Sequence, residues 1–397
     1  MLESHDRIAV AREQWSAAQE RVSEAYRVYY PSVAAQSFVG KERRINPDAD
    51  DTLLNGREVS LSLTQRVYDF GASDSTVGVA KLNEKRAKLV TANTEQQVLF
   101  EGLAAIVNLS RSIQVRDFAK SSVANILRQT ELEDERVRKG AGLTTDVLQA
   151  KTQLIGAEAR LVLAEADMER AVNRYRTVFG FPPESTTGIV EVTMDPKVLP
   201  MTLDEALSVA RGENTALEVA SLDREISKEV QIGTESSLYY PSLDIVGEQI
   251  WRKDVEGIAG YRGESIIRLQ LSYEFDLGLT LRNTIRAASA DFRATQSAYG
   301  DALDLTDEQV RNAWSDLQTT TRNSVLLEEQ ATVAQEFLTL ARQERKSGQR
   351  SLIDVLAGET ALINAQSDAV SARANVVIAE LNLLLSMGVL NIDALHP

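Results

Sequence analysis

Gly348-Gln349-Arg350-Ser351-Leu352-Ile353-Asp354-Val355-Leu356 leads a glycine turn into a seven-residue repeat. Val355, Leu362, Ala369, Val376, Leu383 and Leu390 recur every seven residues, and Gly358, Ala365, Ala372, Ala379 and Ser386 follow the first five by three positions. A strict repeat of seven keeps one helix face toward a partner and implies left-handed supercoiling. Small residues in the seam let the two backbones approach closely.

The pattern occurs earlier as well. Gly140-Ala141-Gly142-Leu143-Thr144-Thr145-Asp146-Val147-Leu148 opens a seam of Val147, Leu154, Leu161, Met168 and Tyr175, flanked by Ala150, Ala157, Ala164, Ala171 and Val178. Asp354 and Asp146 are separated by 354 − 146 = 208 positions, and that offset also superimposes Gly140 on Gly348. Tyr29-Tyr30-Pro31-Ser32-Val33 returns as Tyr239-Tyr240-Pro241-Ser242-Leu243, within two residues of the same offset. The chain reads as an internal duplication, with residues 1–202 the first repeat and 203–397 the second.

Each repeat carries the same succession of elements. The first reads as an amphipathic helix over 5–29, a β-hairpin over 32–70, an unbroken helix over 73–139, a turn at 140–145 and a return helix over 146–179. A connector rich in proline, 181–202, follows. The second reads as helix 203–237 with a break at Gly212-Glu213-Asn214, hairpin 242–276, helix 283–346, turn 347–352 and return helix 353–387. Roughly 65 helical residues make a rod of about 100 Å, far beyond an ordinary globular helix. Asn46-Pro47-Asp48 and Asn55-Gly56 read as punctuation of a loop in the first hairpin, and Gly257 to Gly263 as a glycine-rich loop in the second. The clearest strand alternates Ile267, Leu269, Leu271, Tyr273 and Phe275 with Arg268, Gln270, Ser272, Glu274 and Asp276, which suits apolar contact with lipid outside and a wet lumen inside.

Composition narrows the function. A net charge of −15 over 397 residues argues against nucleic acid, whose phosphates need a basic footprint. No cysteine is present, which excludes disulfides, thiolate metal sites and cysteine nucleophiles. The two histidines, His5 and His396, stand at opposite ends, and Gly40-Lys41 lacks the flanking pattern of a phosphate loop, so no catalytic, metal or cofactor site is expected. No continuous apolar run has the ~20 residues of a membrane-spanning helix. Met1-Leu2-Glu3-Ser4 does not open a signal peptide, so an exported chain is expected to have had its signal removed.

Two repeats of helix, β-hairpin, very long helix, tip turn and return helix resemble the TolC-like outer-membrane channel family. The resemblance rests on Tyr30-Pro31-Ser32, Val67-Tyr68-Asp69-Phe70-Gly71, Gly140 through Ala150, Tyr240-Pro241-Ser242, Phe275-Asp276-Leu277-Gly278 and Gly348 through Leu356, in order along the whole chain. It implies a mainly α fold with a transmembrane β-barrel portion. Long antiparallel coiled-coil helices of a homotrimer would form a periplasmic α-barrel, two β-hairpins per protomer would complete a shared twelve-strand barrel in the outer membrane of a Gram-negative bacterium, and residues 181–237 would form a belt. Closure among protomers also removes sheet edges that lipid cannot tolerate. The family's first repeat usually opens with a segment like Leu203–Glu213, which is expected to have been trimmed here. Ala357 stands where many relatives place a second acidic residue.

The resemblance places a periplasmic gate at the tip. Asp354 would form a carboxylate ring that favours cations, and Arg350 would latch to Thr145 and Asp146, with Arg345 where relatives often have a tyrosine. A plainer role for Asp354 is stabilisation of the first helical turn. Gly140, Gly142, Leu143, Gly348, Ser351 and Leu352 are expected to meet a periplasmic adaptor, itself bound to an inner-membrane transporter of ABC type. The function implied is passive export of a protein substrate by type I secretion, supported by the tip phrase and by the absence of a cysteine for an acyl anchor. Multidrug efflux of small molecules is the alternative; a soluble coiled-coil scaffold is the alternative from another class.

Overall fold

The computed structural model describes residues 5–45, 51–183, 193–194, 198–274, 280–392 and 395–396. Phe275-Asp276-Leu277-Gly278 and Asn46-Pro47-Asp48 fall outside them. Helix α1 (Asp6–Ala25) ends in a 3-10 turn, Tyr26–Tyr29. Strands β1 (Ser32–Arg44) and β2 (Thr52–Tyr68), the 67-residue helix α2 (Ala72–Arg138) and helix α3 (Thr144–Phe179) follow. After β3 (Thr193–Met194) come α4 (Leu203–Glu213), α5 (Thr215–Tyr239), β4 (Ser242–Val255) and β5 (Ile258–Ser272). Helix α6 (Thr280–Lys346), also 67 residues, α7 (Leu352–Met387) and β6 (Leu395–His396) complete the chain.

The chain divides into two units that cut across the repeats. One holds Arg12–Val90 and Glu218–Asp301; the other holds Met1–Ala11, Thr91–Leu217 and Ala302–Pro397. The first contains a four-stranded antiparallel sheet in the order β1-β2-β4-β5, so the two hairpins pair with each other through β2 and β4. Its register is continuous from Ser32↔Thr64 to Arg44↔Thr52 and from Leu61↔Gln249 to Ile245↔Leu269. Odd-numbered residues therefore share one face on all four strands up to the register shifts at Arg66/Tyr68 and Lys253/Val255, beyond which Tyr68 joins that face opposite Leu243.

Two loop expectations are corrected. Asn55-Gly56 is no turn: it lies within β2, opposite Lys41 and Gly40. A Cβ at Gly56 would meet the Asp254 carbonyl oxygen and Val255 at 3.2 Å, so this glycine answers a close backbone approach. The glycine-rich stretch turns only at Glu256 and Gly257, and Gly260 and Gly263 run inside β5. The repeated aromatic motifs meet in space: Phe70 stacks on Tyr240 at 4.7 Å, and Tyr68 packs edge-on against Phe70. Asp69 accepts a hydrogen bond from the Ser73 amide (2.9 Å), which caps the start of α2.

The other unit is helical. Its main core joins Leu99 and Leu103 of α2, Ala206, Leu207 and Ala210 of α4, Val310 and Ala313 of α6, and Leu381, Leu383, Leu384 and Met387 of α7. Asn214 breaks α4 from α5, accepting from the Leu217 amide (3.0 Å) and donating to the Ser386 carbonyl (2.8 Å). Helices α2 and α7 each contain a window long and apolar enough to cross a bilayer, although no continuous apolar run exists; about half of each window is buried inside the chain. That apolarity serves coiled-coil seams.

The return helices differ sharply. Both have 36 residues, yet α7 buries both rows of its heptad pattern apart from Val376 and Ser386, whereas α3 buries only Val147, Ala150, Ala157, Ala164 and Val178. Leu148, Ile155 and Val162 form an exposed stripe along α3. At the 208-residue offset their counterparts are Leu356, Ile363 and Val370, all buried. Leu326, Val333 and Leu340 form a second exposed stripe, along α6.

Candidate functional site

Both helical hairpins turn on a left-handed glycine, Gly140 (φ +76°) and Gly348 (φ +74°). The same two backbone hydrogen bonds close each long helix: Gly140 N to Val137 O and Ala141 N to Arg136 O in one, Gly348 N to Arg345 O and Gln349 N to Glu344 O in the other, all between 2.9 and 3.0 Å. A positive φ carries little steric cost only in glycine, and the pairing satisfies carbonyls that the helix end would leave free.

The return helices begin differently. Ser351 caps α7, its Oγ accepting from the Asp354 amide at 3.2 Å. Leu143 occupies the equivalent position of α3, has no side-chain cap and is 65 % exposed. Asp354 lies in the first turn of α7 with its carboxylate exposed and without an ion pair among the described residues; the helix N-terminus favours its charge. Asp146 is the half-buried equivalent, and Thr145 is exposed. Leu352, expected at the adaptor-facing turn, is instead 3 % exposed and packs with Ile126, Ala150, Ala157 and Leu356. Of the residues expected to meet an adaptor, Gly140, Leu143, Gly348 and Ser351 are exposed and Gly142 is half-buried.

Within the chain, Arg350 joins neither Thr145 nor Asp146. Its Nε donates to Glu344 Oε2 at 2.5 Å, and its guanidinium lies 5.3 Å from the centre of the Phe337 ring. The link between the two hairpins is made by Arg345, which donates to Glu133 Oε2 on α2 at 2.8 Å. Glu133 is 4 % exposed. A second Arg345 nitrogen reaches the Arg350 carbonyl at 3.4 Å. On the other side, a Cβ at Gly142 would meet Glu133 Oε1 at 3.1 Å, so the missing side chain makes room for the carboxylate beneath the first turn. One buried carboxylate thus ties the first turn to the second. Removing one partner from such a buried pair typically costs ~3–5 kcal/mol, because the other charge is stranded.

No sequence motif singles out Glu133, nor Glu344 and Phe337. At the 208-residue offset Glu133 corresponds to Ala341 and Arg345 to Val137, so the link stands where the other repeat is apolar. Another buried carboxylate, Glu359, pairs with Arg342. Disagreement in charge between the repeats is the signal that could have found the link.

Long helical hairpins ending in matched glycine turns, with an antiparallel sheet bearing one apolar face, define the class of channel-forming outer-membrane proteins. The chain belongs to the outer membrane efflux protein family, whose model matches residues 1–180 and 206–389. It is 26 % identical over 360 residues to the outer membrane protein TolC of Escherichia coli (strain K12), covering 87 % of this chain and 72 % of that one. It is 23 % identical over 384 residues to the outer membrane efflux protein BepC of Brucella suis, covering 95 % and 81 %. Among solved structures, the outer-membrane channel OprN superposes with a TM-score of 0.83 at 19 % identity, over 98 % of this chain and 88 % of its own. CmeC of Campylobacter jejuni gives 0.85 at 12 % identity, over 97 % and 83 %. The chain is an outer-membrane efflux channel of the TolC family, with the mainly helical, hairpin-bearing fold expected.

Proposed function

We propose that this chain forms a homotrimeric exit duct, passively conducting cargo from a periplasmic adaptor and an inner-membrane transporter to the exterior. In this reading the duplicated repeats act as pseudo-equivalent units around one ring. The observation that carries it is the exposed stripe Leu148, Ile155 and Val162 on α3. Its second-repeat counterpart is covered inside the chain: Leu356 packs on Ile126 of α2. The equivalent cover for α3 comes from α6 of the next copy, whose own stripe Leu326, Val333 and Leu340 is exposed. Head-to-tail contacts of this kind close into rings. The unpaired edges of β1 and β5 support the same closure, since lipid supplies no hydrogen-bond partners.

The tip turns act as the gate in this proposal, with Asp354 lining the mouth and Glu133–Arg345 holding each protomer's two turns together. Arg350 exchanges Glu344 for Thr145 or Asp146 of a neighbouring copy when the ring closes. The tip phrase Gly348 through Leu356 supports type I protein secretion. The similarity to BepC, an efflux protein by name, favours small-molecule efflux as the second reading.

Mass measurement in detergent tests the assembly. The unaltered chain is expected as a trimer and the Ile155→Glu variant as a monomer of unchanged helix content. A stable monomer of the unaltered chain would remove the channel reading.

A further inference from the structure

The geometry points to a binding site for phosphate-bearing lipid headgroups on the lipid-facing side of the sheet, at its hairpin-turn end, formed by Lys41, Arg57 and Lys253. It rests on the membrane placement proposed above and adds a ligand to it. Charge on the sheet is divided by face. On the even-numbered face the carboxylates have partners: Glu58 and Glu264 meet Arg252 at 2.7 and 3.0 Å, Glu248 meets Arg268 at 2.9 Å, and Asp244 meets Arg66 at 2.6 Å. Asp254, beside the turn, accepts from the Gly260 amide at 2.8 Å. The odd-numbered face has no acidic residue on any of the four strands, yet carries Lys41, Arg43, Arg57 and Lys253, all toward one end. In a chain of net charge −15, four cations on a sheet face whose strands carry no acidic residue stand out.

Register makes the excess unfavourable by itself. Arg57 is directly opposite Lys253, and like charges facing each other across a ladder are destabilising. Lys41 faces uncharged Asn55 one row further toward the turn. Lys253 finds the Tyr261 ring at 4.6 Å, which leaves its charge uncompensated. Among the described residues Arg43 pairs with the exposed Asp51 alone, at 3.7 Å. An external anion is what the row lacks.

Height along the strands identifies the source of that anion. From Leu271 to Tyr261, opposite Lys253, is 271 − 261 = 10 residues. Ten residues span ~34 Å along a strand, and a tilt of ~40° reduces this to ~25 Å along a barrel axis. That equals the height of the apolar band of a membrane barrel. Of the intervening outward residues of β5 and β2, Ile267, Leu269, Val59, Leu61 and Leu63 are apolar and exposed, with Ser265 and Gln65 the polar ones. Exposed Trp251 and Tyr261 bracket the band at the cationic end and Tyr68 and Tyr273 at the other, as aromatic residues do at both water interfaces. The cations therefore sit at headgroup level in the leaflet on the hairpin-turn side, where phosphate groups complement them.

The test uses the full-length chain reconstituted in phosphatidylcholine vesicles, with insertion verified by flotation and protease protection before any anionic lipid is added. Binding of diphosphorylated lipid A is then titrated for the unaltered chain, for K41Q/R57Q/K253Q, and for a control with three exposed helix cations removed, K120Q/R128Q/R322Q. Loss of the rim is expected to weaken binding about a hundred-fold, near five-fold for each cation, and the control is expected to match the unaltered chain. Dephosphorylated lipid A is expected to bind the unaltered chain no better than the rim variant does. Equal binding by rim variant and unaltered chain, or by phosphorylated and dephosphorylated lipid, would overturn the site. Displacement of the lipid by millimolar inorganic phosphate would reassign it to free anions. Failure of the unaltered chain to insert would overturn the membrane placement itself, and the flotation step reports that outcome separately.

Discussion

The two hairpin tips share a backbone and differ in chemistry. Gly140 and Gly348 adopt the same φ and close their helices with the same hydrogen bonds. Yet α7 starts from a capping serine with Leu352 buried behind it, whereas α3 starts from an exposed leucine that supplies no cap. The difference continues along the return helices, one enclosed by its own chain and the other presenting an apolar stripe. Duplication preserved the elements that set chain direction. Divergence fell on side chains that decide whether a helix packs within the protomer or against another surface, and one ion pair, Glu133–Arg345, joins the two kinds of tip.

The largest effect should come from that ion pair. Arg345→Ala leaves the almost wholly buried Glu133 carboxylate with only the exposed Arg136, at 3.7 Å, and is expected to lower stability by ~3 kcal/mol, read by urea unfolding of the helical signal. The double variant E133A/R345V carries at these positions the residue types that the other repeat has there, Ala341 and Val137. E133A/R345V should recover most of the loss, since an apolar pair of suitable volume leaves no unpaired charge. A double variant as unstable as the single would show that the link matters by position and not by charge.

A gating effect should come next. Arg350→Ser is expected to loosen the tip and raise single-channel conductance in planar bilayers. A charged hydrogen bond is worth ~1.5–3 kcal/mol, reduced here because Arg350 and Glu344 are both partly solvated. Conductance equal to that of the unaltered channel would confine Arg350 to its contacts with Glu344 and Phe337. Asp354→Asn should lower cation selectivity measured by reversal potential, and Asp146→Asn should lower it less, because Asp146 is half-buried and Asp354 is exposed. Equal shifts would erase the distinction between the two tips at the mouth.

The smallest effects concern the caps. Ser351→Ala should cost ~1 kcal/mol through loss of the hydrogen bond to the Asp354 amide. Leu143→Ser should instead gain up to about 1 kcal/mol by supplying the cap that α3 lacks. If L143S is neutral in the monomer and harmful in the assembly, Leu143 serves an interface.

Much of the architecture was legible because its signals are periodic and long. Heptad seams of five or more members and 67-residue stretches free of proline admit few other structures. Strand alternation showed the apolar face of β5 directly. The errors came from glycine: Asn55-Gly56 has turn composition, but the close approach of Asp254 and Val255 across the sheet holds Gly56 in a strand. No local pattern reveals a contact between residues 198 positions apart (254 − 56). At the tip, sequence marked Arg350, Arg345 and Asp354 as polar residues of interest, and the turns stand where the glycines place them. Their partners were not legible, because Glu133 is 212 residues from Arg345 and sits on a helix face indistinguishable by composition from a solvated one.

The sheet order β1-β2-β4-β5 leaves two outer strands of 13 and 15 residues, each with one row of amide and carbonyl groups that no other strand pairs among the described residues. A chain released alone is therefore a reactive species, open to pairing with any extended segment it meets. In the proposed trimer the final step consumes several chains at once, so maturation should accelerate steeply with local concentration. Between export and assembly such a chain needs either close siblings or a carrier that masks both borders. The time it spends unaccompanied sets how much of it is lost to aggregation.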